Sequence, residues 1–150
     1  MIADTINQEI AKALKAKDEI RLSTLRLLSS ALNYEFIAKQ HKLSEEEELV
    51  VVRREIKRRK DAIEAYEKAG AKERAEKEKK EMAVLEEYLP AQLSDSELLK
   101  IVDEAISAMG AASMADMGKV MGEAVTKVAG RAEGGRISKL VSEKLQPKRE

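Results

Sequence analysis

The sequence contains no cysteine and few aromatic residues, and both absences restrict what it can do. Without cysteine there can be no disulfide, no thiolate nucleophile and no sulfur-ligated zinc site. Aromatic residues make up only 3% of the 150 residues. A platform that stacks single-stranded bases needs clustered aromatic side chains, so the composition argues against that mode of nucleic-acid binding.

A long apolar run is also missing. No segment approaches the roughly 18–20 apolar residues that a membrane-spanning helix requires. The first residues interleave Asp4, Glu9 and Lys12 with apolar positions, which is typical of neither a signal peptide nor a membrane anchor. The 28 basic and 28 acidic side chains cancel, so any site for a polyanion must be local. We therefore expect a cytoplasmic protein with no membrane partner and no general affinity for DNA.

One of only two prolines, Pro90, divides the sequence into two unlike parts. Proline lacks an amide hydrogen and disfavours helical angles at the preceding residue, so a helix that reaches this point should stop at Leu89. Ser94 and Glu97 have the spacing of a capping box, which predicts a new helix start. We expect a larger N-terminal helical subdomain at residues 1–90 and a C-terminal three-helix head at residues 91–150.

The first two predicted helices precede a polar connection at residues 39–42. A capping box of Thr5 and Gln8 predicts the start of helix one, which should end near Lys17. Asp18 is the predicted cap of helix two. The broad apolar stripe of helix two should make it the most buried helix of this part; the stripe consists of Ile20, Leu22, Leu25, Leu27, Leu28, Ala31, Leu32 and Phe36.

The next two helices should form a long, exposed hairpin. Ser44 and Glu47 predict the start of helix three, which should end at Gly70, and helix four should run from roughly Lys72 to Leu89. Both carry thin apolar seams and many charged pairs at four-residue spacing. The hairpin at residues 44–89 is one candidate surface for a protein partner.

Three short amphipathic helices are predicted after Pro90. The first should end at Gly110, the second should start at Ser113 with Asp116 as its reciprocal cap, and the third should end before Pro147. No segment alternates with the period of a strand. The predicted fold class is all-α.

No complete active site is recognisable. His41 lies in a polar connection without a serine or metal-ligating partner at a known spacing. Gly118 and Lys119 superficially resemble a phosphate loop, but Val120 stands where that motif needs serine or threonine, and no strand precedes it. We predict no catalytic residue, no metal and no cofactor, and no catalysis by the chain alone.

A first basic cluster, the secondary basic patch, consists of Arg53, Arg54, Lys57 and Arg58 around Glu55. Such a cluster could bind phosphates. The favoured alternative is that it faces acidic residues of neighbouring helices, as charge runs in a neutral chain usually do.

A second basic cluster lies near the end of the sequence and coincides with glycines. Its members, which outnumber Glu133 and Glu143, are Lys127, Arg131, Arg136, Lys139, Lys144, Lys148 and Arg149. Gly118 and Gly122 expose backbone on one helix face, and Gly130 leads into a glycine-rich turn. Free amides at a helix start beside Arg131, Arg136 and Lys139 predict a phosphate site. Close helix packing at Gly118 and Gly122, followed by an ordinary turn, is the open alternative.

Five motifs in order make the sequence resemble the YqeY-like proteins: Leu25–Leu28, Glu55–Arg59, Tyr88–Pro90, Asp116–Gly122 and Gly130–Gly134. That family shares its domain with the tail of the B subunit of the glutamine-dependent aspartyl/glutamyl-tRNA amidotransferase, and similar domains are appended to some glutaminyl-tRNA synthetases. The resemblance implies an all-helical protein that contacts tRNA. The catalytic parts of those relatives have no counterpart here, so their ligase activity is not expected of the chain alone.

Carried over by position, the resemblance implies an RNA contact surface at Lys119, the Gly130–Arg131–Ala132 turn and Lys139. Family members commonly have aspartate where this chain has Glu133, so we do not expect a tight capping role for the Glu133 side chain. Three hypotheses follow. The chain is a tRNA-binding accessory protein, a protein-interaction adaptor that uses the 44–89 hairpin, or a component associated with carbon–nitrogen ligase activity that uses glutamine as amido donor, acting with a tRNA synthetase or amidotransferase partner.

Overall fold

A computed structural model describes residues 1–147 of the chain. Within this range the fold is helical without strands, which confirms the predicted all-α class. The helices are α1 (Ile2–Lys15), α2 (Glu19–Lys39), α3 (Glu45–Lys68), α4 (Lys72–Glu86), α5 (Asp95–Met109), a 3₁₀ turn (Met114–Asp116), α6 (Met117–Val128) and α7 (Gly134–Leu145). Contacts group them into an N-terminal unit, Met1–Leu89, and a C-terminal unit that begins at Pro90. That these units act as separate functional domains stays a prediction.

The core of the N-terminal unit lies between α1, α2, α3 and α4. Its members are apolar side chains that recur at helical spacing, so each helix presents one stripe to the others. They are Ile6, Leu28, Leu32, Leu43, Val51, Val52, Ile56 and Leu85.

The predicted capping box of α1 is wrong. The helix begins at Ile2, so Thr5 lies inside it, and the Thr5 hydroxyl donates to the Ile2 carbonyl at 3.4 Å. The first amides of α1 are instead bound by the buried carboxylate of Glu48 on α3. At its other end α1 stops at Lys15, and Lys17 adopts a left-handed φ of 55°.

The Asp18 cap of α2 is confirmed, because its carboxylate accepts a hydrogen bond from the Arg21 amide at 3.1 Å. The prediction that α2 would be the most buried helix of this part is wrong, because four of its residues are buried and seven of α3 are. Leu25, Leu28 and Leu32 are buried, but Leu27 is 51% exposed and Phe36 is 47% exposed. Helices α1, α3 and α4 cover only part of the circumference of α2, and at 100° per residue Leu27 points away from the covered side.

Helices α3 and α4 form a hairpin joined at Gly70, whose φ of 73° suits glycine. The Ser44 hydroxyl caps α3 by accepting from the Glu47 amide at 3.2 Å, as predicted. Helix α4 ends at Glu86, three residues before the predicted end at Leu89. The amides of Tyr88 and Leu89 donate to the carbonyls three residues earlier, so the α-helix gives way to 3₁₀-type hydrogen bonds before Pro90.

The C-terminal unit is a three-helix bundle in the described residues. Ser94 and Glu97 form the expected capping box at the start of α5, and Gly110 ends that helix with a φ of 61°. Ser113 and Asp116 cap a 3₁₀ turn instead of α6, which starts at Met117. The buried core consists of Leu98, Val102, Ala105, Val120, Ala124, Val128, Ala132, Ile137, Val141 and Leu145.

Candidate nucleic-acid interface

The first two turns of α6 carry no bulky side chain on one face, and Val125, 49% exposed, lies further along the same face. Gly118 and Gly122 are exposed, and a Cβ added at either position would meet nothing within 4 Å. Lys119 and Thr126 lie on the same side of the helix and are also exposed. The structure therefore does not support close helix packing as the role of these two glycines. It leaves a strip of α6 backbone that another molecule can approach closely.

The 3₁₀ turn that leads into α6 is held by Asp116. Its carboxylate accepts hydrogen bonds from the amides of Ala112 at 3.0 Å and Ser113 at 3.4 Å. The hydrogen bond from the Ala112 amide is the largest cause of a lowered Asp116 pKa. The hydrogen bond from Ser113 and the positive charge of Lys119 lower this pKa further. Asp116 is thus an ionised cap at neutral pH that positions Gly118 and Lys119 on the first turn of the helix.

The turn after α6 is held by Arg131. Ala129 and Gly130 adopt left-handed φ angles of 50° and 81°, which reverse the chain. The Arg131 Nε donates to the Val128 carbonyl at 2.9 Å, and one of its terminal nitrogens donates to the Lys127 carbonyl at 3.0 Å. Part of the Arg131 guanidinium therefore caps the C-terminus of α6.

Arg136 also binds within the unit. One terminal nitrogen donates to the Leu93 carbonyl at 3.1 Å and to an Asp95 carboxylate oxygen at 2.8 Å. These bonds link α7 to the start of α5. Both arginines predicted to bind RNA therefore have internal partners. Arg131 uses N–H donors on neutral carbonyls, and the charge of Arg136 is partly balanced by Asp95.

The start of α7 is open. The Glu133 side chain makes no capping hydrogen bond to this helix, and Gly134 and Gly135 are exposed. Lys139 follows Gly135 by four residues, hence on the same side of α7, and is exposed. A helix of 12 residues with uncapped first amides favours a bound anion.

The structure thus places the predicted RNA-binding residues on α6, the turn and α7 of one unit. Lys119 and Lys139 have no ion-pair or hydrogen-bond partner in residues 1–147, unlike Arg131 and Arg136. Gly130 has a left-handed φ and shapes the turn. Thr126, whose hydroxyl donates to the Gly122 carbonyl at 2.9 Å, lies on the α6 face and was not predicted. Lys148 and Arg149 lie outside the described residues.

The secondary basic patch has partners in the N-terminal unit. Arg54 pairs with Glu35 of α2 at 3.3 Å, and Arg58 pairs with Glu55 at 3.1 Å. Arg53 also has an interaction partner, whereas Lys57 is exposed. This geometry favours the alternative in which the cluster faces acidic neighbours.

Two further features bear on function. Across residues 1–147 there is no cluster of three or more His, Cys, Asp or Glu side chains that could hold a metal ion. In the same range no helix is both long and apolar enough to cross a membrane. His41 is exposed on the α2–α3 connection, where its ring lies 3.8 Å from a Glu47 carboxylate oxygen.

A family model described as "Yqey-like protein" matches residues 3–145, which include all seven helices of the described range nearly in full. The chain belongs to this family. The matched range contains the open face of α6, the Arg131 turn and the start of α7. The family resemblance inferred from the five sequence motifs is therefore confirmed.

Two curated proteins also resemble this Yqey-like chain. The E subunit of the glutamyl-tRNA(Gln) amidotransferase of Thermococcus gammatolerans is 37% identical over 89 residues, which cover 57% of this chain and 14% of that protein. The uncharacterized protein C22F3.15 of Schizosaccharomyces pombe is 29% identical over 90 residues, which cover 60% of this chain and 73% of that protein. The chain therefore spans about a seventh of the amidotransferase polypeptide, a partial homology.

Proposed function

We propose that this Yqey-like protein is a tRNA-binding accessory protein without an active site of its own, and that it binds through α6 and the start of α7. The observation that carries the proposal is the exposed Gly118–Gly122 strip beside Lys119. Its partial homology to a protein named for glutamyl-tRNA(Gln) supports tRNA as the ligand.

The chemistry of the surface suits a folded RNA. A sugar–phosphate backbone can approach the α6 backbone where the two glycines leave no side chain in the way. Lys119 and Lys139 supply positive charge, and neither forms an ion pair in residues 1–147, although Asp116 interacts electrostatically with Lys119. The uncapped amides of α7 supply hydrogen-bond donors for a phosphate. Recognition of shape and phosphates, without base stacking, agrees with the few aromatic residues.

The test is binding of purified protein to total tRNA across a salt series. Lys119→Glu with Lys139→Glu should weaken binding at least tenfold at low salt and should make the dependence of log affinity on log salt shallower by roughly 1.5–2. Lys119→Glu and Lys139→Glu are also measured singly. Lys100→Glu, on the exposed side of α5, makes the same charge change as either single variant and is the control for both. Unchanged affinity in a folded double variant, or equal loss in the control, would reject this surface.

A second candidate function is association with an amidotransferase that forms a carbon–nitrogen bond with glutamine as amido donor. The partial homology to the Thermococcus amidotransferase polypeptide favours it. The measurement is copurification with the amidotransferase of the same cell, together with the rate of glutamyl-tRNA(Gln) conversion with and without added protein. If the protein neither copurifies nor changes the rate, the association is rejected while tRNA binding stands. The adaptor role of the 44–89 hairpin and the cytoplasmic location stay predictions.

A further inference from the structure

Thr126 on α6 has a hydroxyl whose hydrogen-bonding direction the structure determines. Its Oγ1 lies 2.9 Å from the Gly122 carbonyl oxygen, one turn earlier on the same helix. A carbonyl oxygen can only accept, so the hydroxyl donates its single hydrogen there. Its lone pairs remain, and in residues 1–147 no other group forms a hydrogen bond with this hydroxyl. Toward a molecule that approaches α6, the Thr126 side chain is therefore an acceptor alone.

This acceptor lies over the strip of backbone that the glycines of α6 leave open. Side chains of an α-helix lean toward its N-terminus, so the Thr126 hydroxyl lies over the turn that contains Gly122. Gly122 is exposed, and a Cβ at that position would meet nothing within 4 Å. Thr126 is exposed as well. A molecule that contacts the helix backbone at Gly122 thus also reaches the Thr126 oxygen.

The charges along α6 differ between the two ends of this strip. Lys119 is exposed near the N-terminal end, about 10 Å along the helix axis from Thr126. Near Thr126, the Lys127 ammonium group pairs with a Glu123 carboxylate oxygen at 3.6 Å. Phosphate oxygens only accept, so a phosphate is attracted to Lys119 but gains no hydrogen bond from Thr126. The group that suits the Thr126 oxygen is a neutral donor.

We propose that Thr126 accepts a hydrogen bond from a ribose 2′-hydroxyl and thereby makes the α6 surface selective for RNA over DNA. This inference rests on the proposed function, tRNA binding through α6 and the start of α7. The backbone of RNA carries a donor in each nucleotide, the 2′-hydroxyl, and the backbone of DNA lacks it. An oxygen that can only accept therefore has a partner in RNA and none in DNA. A-form RNA displays its 2′-hydroxyls in a wide minor groove, so this contact also agrees with recognition by shape.

The test removes the donor from the RNA and the acceptor from the protein, separately and together. A tRNA transcript is compared with the same sequence in which fluorine replaces each 2′-hydroxyl, which keeps the A-form helix and the phosphates but cannot donate. The wild type should bind the unmodified transcript roughly three- to tenfold more tightly than Thr126→Val does. The two proteins should bind the 2′-fluoro transcript equally. Valine keeps the branched shape of threonine, so the variant loses the hydroxyl and little else.

Comparison of both proteins with both RNAs separates the contact from changes in the RNA itself. If the 2′-fluoro transcript folds less well, both proteins lose affinity, and only an unequal loss measures the contact. Thr126→Ser keeps the hydroxyl and should keep the preference of the wild type. Thr5→Val on α1 is the matched control, because Thr5 is also exposed and its hydroxyl donates to the Ile2 carbonyl of its own helix at 3.4 Å. This control should bind both transcripts as the wild type does.

The outcomes distinguish this inference from the proposed function. If Thr126→Val weakens binding of both transcripts equally, or of neither, the contact with a 2′-hydroxyl is overturned while tRNA binding stands. An equal loss would indicate a donor outside the ribose, such as a base amino group. If the wild type binds neither transcript at low salt, the proposed function fails, and this inference fails with it. Circular dichroism shows that each variant is folded, and Thr126→Ala, which also lacks the acceptor, should repeat the result.

Discussion

Glu48 of α3 binds the backbone of Ala3 at the start of α1. One oxygen of the buried Glu48 carboxylate lies 2.6 Å from the Ala3 amide nitrogen, and the other lies 3.1 Å from that of Ile2. The side chain is only 1% exposed. A carboxylate at this position satisfies two amides that have no partner within the helix and complements the positive end of its dipole. A side chain 45 residues away thus performs the role of an N-cap.

We expect Glu48→Ala to lower the free energy of unfolding of the N-terminal unit by about 1–3 kcal/mol, because two amides of the first turn of α1 lose their acceptor. Glu46→Ala is the matched control: it removes an exposed carboxylate from the same first turn of α3 but no bond to α1. Urea unfolding followed by circular dichroism measures both. Equal losses in the two variants would show that the α3 dipole, and not the contact with α1, accounts for the effect.

Sequence patterns predicted the caps that are local and missed the one that is not. Asp18, Ser44 and Ser94 each bond to an amide three residues ahead, a spacing that can be read from the sequence. The cap at the start of α1 comes from another helix, so local spacing pointed to Thr5 instead. Periodicity likewise identified α2 as apolar, but only the packing shows that its Leu27 side is uncovered.

The sequence indicated which elements carry the candidate site residues but not the partners of each residue. The glycine and lysine motifs pointed to what are α6, the turn and α7 in the structure, and RNA binding there stays a prediction. The sequence could not show that Arg131 bonds to backbone carbonyls of α6 or that Arg136 bonds to Asp95, 41 residues away. Such partners depend on how the helices pack. The sequence shows that an arginine is charged but not which group it will contact.

Arg131 should matter for stability. Arg131→Ala should lower the free energy of unfolding of the C-terminal unit by about 1–3 kcal/mol, because two carbonyls at the end of α6 lose a charged donor. Lys139→Ala, at an exposed position without an internal partner in residues 1–147, should change it by less than about 0.5 kcal/mol. Thermal unfolding compares the two. An Arg131→Ala protein as stable as the wild type would contradict the capping role. Arg131 would then be tested as an RNA-binding residue.

The exposed glycines of α6 should lower the stability of the helix but favour tRNA binding. Gly122→Ala should raise the free energy of unfolding by about 0.5–1 kcal/mol, because alanine favours the helix and its Cβ meets nothing within 4 Å. The same substitution should weaken tRNA binding several-fold if RNA approaches the α6 backbone there. Both quantities are measured on one preparation, by urea unfolding and by filter binding.

Gly110→Ala is the control for the effect on stability. The φ of Gly110 is 61°, which is strained for alanine, so this variant should have a lower free energy of unfolding. A Gly122→Ala protein that is more stable and binds tRNA as well as the wild type would remove the α6 strip from the proposed interface. The lysines would then have to act without close backbone approach.

Acid should weaken the C-terminal unit through its ionised caps. Hydrogen bonds from the Ala112 amide lower the pKa of Asp116, and those from Ser94 lower the pKa of Glu97. A carboxylate whose pKa is lowered by folding stabilises the protein above its unfolded pKa, and this contribution disappears as the pH falls through the folded value. The loss should therefore begin below about pH 4–5 and continue to lower pH.

Asp116→Asn and Glu97→Gln should each reduce this acid dependence, because an amide does not ionise. The measurement is the urea midpoint of unfolding at several values between pH 7 and pH 3. Glu104→Gln on the exposed side of α5 removes one negative charge outside any cap and corrects for the net charge of the unit. If the three variants lose stability in parallel with the wild type, the ionised caps do not control the acid dependence, and the positive charge that the whole unit gains in acid must account for it.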